Sequence, residues 1–193
     1  MRLALGVSYR GTAYHGWQSQ PHGRTVQDQL EAALAQFLAR PVATLCAGRT
    51  DTGVHGLNQV VHFDCDQHRE PFSWVRGTNR YLPHDIAVEW ARVVPDDFHA
   101  RNHARGRRYA YLLRESPVRP AIDTGSVGWS FRPLDQAAME AAAAHLLGEH
   151  DFSAFRSSEC QARSPVKELR ELRVSRHGAY WRFEFEASAF LHH

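Results

Sequence analysis

An aspartate lies on a glycine-flanked turn between two short apolar segments. The run Gly48–His55 (GRTDTGVH) follows the apolar residues 42–45 and precedes the apolar residues 59–63. Glycines permit bends that residues with side chains resist, so this pattern predicts a strand, a loop and a second strand. Such a loop can present the Asp51 carboxylate to a ligand, and the neighbouring Arg49 favours the ionised form. A polar turn closed by a local aspartate hydrogen bond is the simpler interpretation.

The composition is that of an ordinary globular chain and excludes several classes of protein. At 193 residues, with 43% hydrophobic and 23% charged, the chain can bury one core or two small halves. No apolar run approaches the ~20 residues of a membrane helix, so we expect no membrane partner. Cys46, Cys65 and Cys160 lie far apart without a CxxC pair. This spacing argues against a disulfide framework and indicates a reducing cytoplasm.

The net charge of +2 says little about partners, but the distribution of arginines says more. Six arginines and a single acidic residue, Glu115, fall between Arg101 and Arg119. A face of this kind suits the phosphate backbone of a nucleic acid, whose neutralisation dominates binding affinity. The alternative is a solvated surface whose arginines pair with acidic residues from elsewhere in the chain.

Thirteen histidines raise the question of a metal site. His99 and His103 are four residues apart, but they flank a predicted strand and do not lie on a predicted helix. The adjacent pair 192–193 is terminal, and no glutamate completes an HExxH pattern. The spacing therefore predicts no metal site.

Hydrophobic periodicity predicts strands and helices that alternate along the chain. Strands are expected at 2–9, 42–47, 58–65, 86–94, 107–114, 169–176 and 180–189, the last two turning at 177–178. Helices are expected from residue 26 to before Pro41, over 72–81 and over 133–147. Thr25 is the predicted N-cap of the first helix, while Pro133 is expected near the start of the third and Gly148 at its end. The loop of residues 10–24 is long enough to suggest a functional role.

The motif Pro95–Asp97 separates two similarly built halves. We expect a first half, 1–97, that carries the Asp51 loop, and a second half, 98–193, that carries the basic strand and the third predicted helix. Strands and helices alternate in both halves, so the predicted class is α/β or α+β with a mixed sheet.

Several short motifs, in this order and spacing, resemble the tRNA pseudouridine synthase family. The Arg49–His55 run (RTDTGVH) is highly specific, and the resemblance extends from about residue 2 to the end of the chain. The weaker motifs are YHGWQSQ at 14–20, RTVQ at 24–27, FHAR at 98–101, RRYAY at 107–111, DFSAF at 151–155 and AFLHH at 189–193. The resemblance implies a pseudouridine synthase fold, with two ferredoxin-like halves that share a mixed, mainly antiparallel central sheet.

The resemblance also implies an activity and its partners. The family isomerises uridine to pseudouridine in the anticodon stem-loop of tRNA, at positions 38–40, and acts as a homodimer whose two chains both embrace the tRNA. The reaction cuts the bond between C1′ and N1, turns the uracil and rejoins it through C5. No atom is lost and no redox change occurs, so neither a cofactor nor a metal is required.

Two residues match the family's positions around the reacting nucleotide, and Arg49 lies beside the first of them in the sequence. Asp51 matches the essential aspartate, and its carboxylate is suited either to attack C1′ or to take a proton from C2′. Tyr109 matches the tyrosine that lies against the target base, where stacking is worth roughly 1–3 kcal/mol; a strand aromatic that fills the core is the alternative. Arg49 is placed to occupy the gap that a flipped base leaves in a stem.

The remaining candidates are RNA contacts. Gln18, Arg24, Arg107 and Arg108 are expected to line the RNA groove or to bind phosphate. His55 is suited either to a phosphate contact or to stabilising the loop. Trp17, beside Gln18, is expected to be a core residue or a loop anchor.

One departure from the family pattern leaves two alternatives open. In the family, the close partner of the aspartate is a basic residue just beyond the sequence Phe-Leu-His-His, and this chain stops at His193. We therefore expect a truncated chain, and a tRNA-binding module without catalysis is an alternative to the enzyme. A further alternative is an N-glycosidic hydrolase that releases free uracil.

Overall fold

Two compact units make up the chain, Met1–Ala104 and Arg105–His193. The computed structural model describes residues 1–158, 160 and 162–191. Residues 98–104 group with the first unit, and the division into two ferredoxin-like halves stays a prediction. Within the described residues no helix is both long and apolar enough to cross a membrane.

The first unit is a four-stranded sheet with two helices. Its elements are β1 (Arg2–Tyr9), α1 (Val26–Leu38), β2 (Leu45–Cys46), β3 (Gly56–Asp64), α2 (Pro71–Asn79) and β4 (Ile86–Val94). The strand order is β2-β3-β1-β4, and each neighbouring pair is antiparallel. Alternate residues of β1, such as Leu3 and Leu5, pack in one core with Leu30 and Leu34 of α1. Trp17 joins this core at 1% exposure, which confirms its expected role as a core residue.

The predicted start of α1 is confirmed in atomic detail. The Thr25 hydroxyl accepts the Asp28 N–H at 3.2 Å and donates to the Asp28 carboxylate. Burial raises the pKa of Asp28, but hydrogen bonds from Ser19 and Thr25 outweigh it and leave the pKa below its usual value. The helix ends at Leu38, before Pro41, because Ala39 adopts the left-handed conformation at φ 53°.

A segment after β4 is fastened to the face of the sheet opposite the helices. His62 of β3 is 3% exposed, and its Nδ1 accepts the Ala100 N–H at 3.2 Å. Arg2 forms an ion pair with Asp64 at 2.8 Å and donates to the Phe98 carbonyl at 2.9 Å. The segment therefore has two separate attachments to β1 and β3.

Several charges and dipoles act on the buried His62 ring. Burial lowers its pKa below the ordinary value, and the charges of Arg2 and His99 lower it further. The Asp64 carboxylate and a hydrogen bond with the Leu45 backbone oppose this shift. The folded protein consequently favours the neutral ring, whose Nδ1 can accept a hydrogen bond.

Acidification is expected to destabilise the protein through His62. Protonation converts Nδ1 to a donor, which removes the bond from Ala100. Because the folded-state pKa lies below the unfolded value, this stability is complete above about pH 6.5 and declines as the pH falls below it. Thermal unfolding should therefore show a lower midpoint at pH 5.5 than at pH 8. His62→Asn keeps an acceptor that does not titrate; an equally large decline in that variant would contradict the assignment.

The second unit is a five-stranded sheet with one helix. Its elements are β5 (Arg107–Glu115), β6 (Gly128–Ser130), α3 (Gln136–Ala144), β7 (Gly148–Asp151), β8 (Val166–His177) and β9 (Tyr180–Ala187). The strand order is β6-β5-β9-β8-β7, in which β5 and β6 are parallel and the other pairs antiparallel. The first sheet is entirely antiparallel and the second is mixed, so the strands are mainly antiparallel, as expected. A central sheet shared by both halves stays a prediction.

Each of the two predicted assignments that differ most from the structure is explained by a specific contact with another element. Only Leu45–Cys46 of the predicted strand 42–47 is a strand, because the Thr44 N–H donates to the Glu31 carboxylate of α1 at 2.7 Å and draws the preceding residues towards the helix. Residues 115–132, between the predicted strand 107–114 and the predicted helix 133–147, contain β6, which pairs with the end of β5. A Cβ at Gly128 would overlap the Tyr111 hydroxyl, so a larger residue there would require the Tyr111 side chain to move. Strand β7 was not predicted.

Several predicted boundaries in the second unit were also wrong, and two of them have a clear local cause. Helix α3 begins at Gln136, not near Pro133, because Asp135 caps the Ala138 N–H at 3.0 Å. The hairpin of β8 and β9 turns one residue later than expected, since His177 pairs directly with Tyr180. The two-residue turn between them begins with Gly178 at φ 60°, which a glycine adopts without strain.

Candidate active site and nucleic-acid interface

Asp51 lies on the loop between β2 and β3, and its side chain is exposed. Its carbonyl oxygen accepts the Val54 N–H at 3.1 Å, which closes a turn over residues 51–54. Gly53 is the third residue of this turn at φ 81°, a conformation that favours glycine. The glycine-flanked turn predicted from the sequence is thus present, with its carboxylate on the outside.

The long loop between β1 and α1, predicted as residues 10–24 and observed as residues 10–25, packs against the back of the Asp51 loop. The Trp17 N–H donates to the Thr50 carbonyl at 2.9 Å, and the Gly53 N–H donates to the Tyr14 carbonyl at 3.4 Å. The core position of Trp17 fixes this loop to the body of the first unit. One role of the long loop is therefore to support the Asp51 loop.

Two glycines allow the loops to approach this closely. A Cβ at Gly16 would lie 2.7 Å from the Thr50 carbonyl oxygen, and Gly16 has φ 82°. A Cβ at Gly11 would overlap the Val54 carbonyl oxygen. Sequence reasoning did not identify either glycine, although their positions within a long loop rich in aromatic residues were a visible signal.

Two tyrosines complete the support. The hydroxyls of Tyr9 and Thr50 are 2.7 Å apart, and the Tyr9 ring lies 5.6 Å from that of Trp17. The Tyr14 hydroxyl donates to Asp85 at 2.6 Å; burial, together with this bond, raises the pKa of Tyr14 above its usual value. Neither tyrosine was a candidate from the sequence.

Arg49 is exposed, two residues before Asp51. Burial raises the pKa of the Cys46 thiol, and the positive charges of Arg49 and Arg101 oppose that shift. Both guanidinium groups thus create a positive potential where β2 leads into the loop. Two roles of Arg49 stay predictions. The first is to keep Asp51 ionised, and the second is to fill the gap that a flipped base leaves.

The other candidates of the first unit lie in or beside the two loops. Gln18 is half-buried next to Trp17, and Arg24 is exposed at the end of the long loop. The His55 Nδ1 accepts the Gly11 N–H at 3.2 Å, which supports the loop-stabilising interpretation of this histidine. RNA contacts by these three side chains stay predictions.

In the second unit the structure brings two of the family motifs together. Tyr109 of β5 is half-buried, and its ring meets that of Phe190 edge-on at 4.9 Å between centroids. Phe185 of β9 is the residue opposite Tyr109 in the sheet. His192 and His193, which end the second motif, lie outside the described residues. The tyrosine is therefore part of an aromatic group, and its contact with a base stays a prediction.

Arg107 and Arg108 have different surroundings. Arg107 donates to the Ser188 carbonyl at 3.0 Å. Arg108 lies 3.3 Å from Glu171 and 3.5 Å from Glu184, two carboxylates of the neighbouring strands. This arrangement favours, for Arg108, the alternative of a solvated surface with acidic partners. No group of three or more potential metal ligands occurs within the residues that the structure describes.

The fold and the loop together define an α/β protein with an exposed carboxylate on a rigidly supported turn. The family model described as tRNA pseudouridine synthase matches residues 6–102 and 142–193. These ranges contain the Asp51 loop, its supporting loop and strands β8 and β9. The chain belongs to the tRNA pseudouridine synthase family.

Individual relatives agree with this assignment over the whole chain. It is 75% identical to tRNA pseudouridine synthase A of Methylibium petroleiphilum over 193 residues, which are 100% of this chain and 74% of the relative. It is 69% identical to tRNA pseudouridine synthase A of Albidiferax ferrireducens, with the same coverage. The protein of the same name from Variovorax paradoxus is 66% identical over 197 residues, covering 100% of this chain and 73% of the relative.

Proposed function

We propose that this chain isomerises uridine to pseudouridine in tRNA and that Asp51 is its catalytic carboxylate. The observation that carries the proposal is the exposed Asp51 turn, whose flanking residues Thr50 and Gly53 are both bound by the long loop. A 75% identical relative named tRNA pseudouridine synthase A supports the choice of reaction and substrate.

The proposed reaction needs only groups that a protein side chain and the RNA supply. The C1′–N1 bond of uridine breaks, a C1′–C5 bond forms, C5 loses its proton and N1 gains one, so the product is an isomer. The Asp51 carboxylate either adds to C1′ as a nucleophile or removes a proton from C2′ as a base. Both roles require a fixed, ionised carboxylate beside the sugar, and a supported turn provides the fixed position.

The target base must leave its stack before it can react. Extruding a paired base costs a few kcal/mol, which stacking on an aromatic ring offsets in part. We propose that Tyr109 stacks on the extruded base and that Arg49 fills the space that the base leaves in the stem. Gln18, Arg24 and His55 are the proposed RNA contacts beside the Asp51 loop.

The finer features of the substrate and assembly belong to the same proposal. The target uridines are those at positions 38–40 of the anticodon arm, and the active form is a cytoplasmic homodimer. The tRNA substrate supports the cytoplasmic location. Light scattering on the protein as it elutes from a size-exclusion column gives the number of subunits. A monomer that retains full activity would contradict the proposed dimer.

Release of the C5 proton tests the reaction directly. The chain is incubated with a tRNA transcript that carries tritium at C5 of its uridines, and we expect tritium release from positions 38–40. A transcript with cytidine at those three positions should release none. Bound tRNA with no release would favour a binding module without catalysis, and free uracil among the products would indicate an N-glycosidic hydrolase.

Salt dependence tests the proposed phosphate contacts of the basic strand. If Arg107 and Arg108 each bind a phosphate, Arg107→Ala and Arg108→Ala should each reduce the slope of log affinity against log salt by about one unit. Arg182→Ala is the matched control, because Arg182 forms an ion pair with the same Glu184 at 2.8 Å. Slopes equal to that of the control would assign the two arginines to structure.

A further inference from the structure

The residue before Asp51 is attached to the core through both its main chain and its side chain. The Thr50 carbonyl accepts the Trp17 N–H at 2.9 Å, and its hydroxyl lies 2.7 Å from that of Tyr9. Tyr9 is the last residue of β1 and is 5% exposed, so its ring cannot move without disturbing the core. Thr50 is therefore held from two directions by well-packed groups.

The residues after Asp51 are attached as well. The Gly53 N–H reaches the Tyr14 carbonyl at 3.4 Å, and the Val54 N–H closes the turn on Asp51 at 3.1 Å. With fixed residues on both sides, the backbone angles of Asp51 are determined by its neighbours. The direction of the carboxylate depends on those angles, and a reacting group needs its direction held closely.

We propose that Tyr9 is a positioning residue for Asp51 and acts through the hydroxyl of Thr50. This inference rests on the proposed function, because it takes Asp51 as the reacting carboxylate. The bond between the two hydroxyls fixes the Thr50 side chain, and with it the peptide that joins Thr50 to Asp51. Without that bond the peptide can rotate, and a displacement of about 1 Å at a reacting group can cost about 100-fold in rate.

Substitutions that remove single hydroxyls test this role. Tyr9→Phe keeps the buried ring, and Thr50→Val keeps the shape of the side chain, so each removes one partner of the bond. We expect the rate constant for conversion at saturating tRNA to fall roughly 10- to 100-fold in each variant, with tRNA affinity within about twofold of the wild type. Thr50→Ser retains the hydroxyl and should retain most of the rate.

A double variant separates the shared bond from two independent effects. If Tyr9 acts through Thr50, Tyr9→Phe combined with Thr50→Val should be no slower than the slower single variant. If the rate of the double variant instead falls by the product of the two single losses, Tyr9 does not act through Thr50, and the inference is overturned. The control is Tyr180→Phe, which removes a tyrosine hydroxyl that donates to Asp123 at 2.9 Å in the second unit and should leave the rate unchanged.

Hydrogen exchange gives a readout that does not depend on activity. Tyr9→Phe and Thr50→Val should raise the exchange rates of the amides of residues 50–54 at least about tenfold, while Thr50→Ser and Tyr180→Phe should not. Unchanged exchange in the loop would overturn the inference. If the wild type converts uridine, unchanged conversion rates in both Tyr9→Phe and Thr50→Val would also overturn it. Failure of the wild type to convert uridine would count against the proposed function, and the exchange rates would still decide the role of Tyr9.

Discussion

Asp51→Asn is expected to lower the conversion of uridine to pseudouridine by roughly 10³-fold or more. The amide has nearly the same size and shape as the carboxylate, so the turn of residues 51–54 should remain intact. It carries no negative charge, however, and can neither attack C1′ nor take a proton from C2′ at a useful rate. Single-turnover conversion with the enzyme in excess over tRNA measures this effect on the chemical step.

The control for Asp51 is another exposed aspartate of the first unit. Asp66 forms an ion pair with Arg40 at 3.1 Å, and its side chain is 85% exposed. Asp66→Asn removes one negative charge in the same way and should convert tRNA at the wild-type rate. The tRNA affinity of Asp51→Asn should equal or exceed that of the wild type, because a charge that repels phosphate is lost. Substantial conversion by Asp51→Asn would refute its catalytic role.

Gly16→Ala is expected to have the second largest effect, on both stability and conversion. The left-handed conformation at φ 82° costs an alanine about 1–2 kcal/mol. The new Cβ would lie 2.7 Å from the Thr50 carbonyl oxygen, and overpacking of this kind costs about 1–3 kcal/mol more. Relief of the clash requires movement of Thr50, so we expect conversion to fall by roughly 100-fold.

Gly23 in the same long loop is a matched control. It also has a left-handed conformation, at φ 67°, but nothing lies within 4 Å of an added Cβ. The free energy of unfolding of Gly23→Ala should therefore fall only by the cost of the left-handed conformation, about 1–2 kcal/mol. This variant should retain near wild-type conversion. Denaturant unfolding and single-turnover kinetics of the two variants give the comparison. Equal rates would mean that the contact of Gly16 with Thr50 does not control the position of Asp51.

Local sequence features predicted most of the first unit correctly. The strand 2–9 was predicted with its observed bounds, and so was the strand 86–94, because the periodicity of apolar residues is a property of the local sequence. Thr25 was identified as a helix N-cap for a similar reason, since the bond to Asp28 spans only three residues. The sequence motif 49–55 was the main basis for the predicted family membership, and the relatives confirm that prediction.

The wrong assignments at Thr44 and at β6 depend on contacts distant in sequence. Thr44 is drawn from the strand by Glu31, which lies 13 residues earlier. Residues 128–130 form β6 because they pair with the edge of β5. Three residues are too few for a periodic pattern that would predict this pairing. Arg108 illustrates the same limit, because its carboxylate partners come from β8 and β9.

The sequence by itself determined the family, the alternation of elements and the position of Asp51 on a glycine-flanked turn. Those properties reside in residues that are neighbours along the chain. The tertiary structure alone decided what supports the turn: the Tyr9 hydroxyl on Thr50, the Trp17 amide on its carbonyl and the close approach of Gly16. These groups lie more than 30 residues from Asp51, and only the folding of β1 and the long loop against β3 brings them to it.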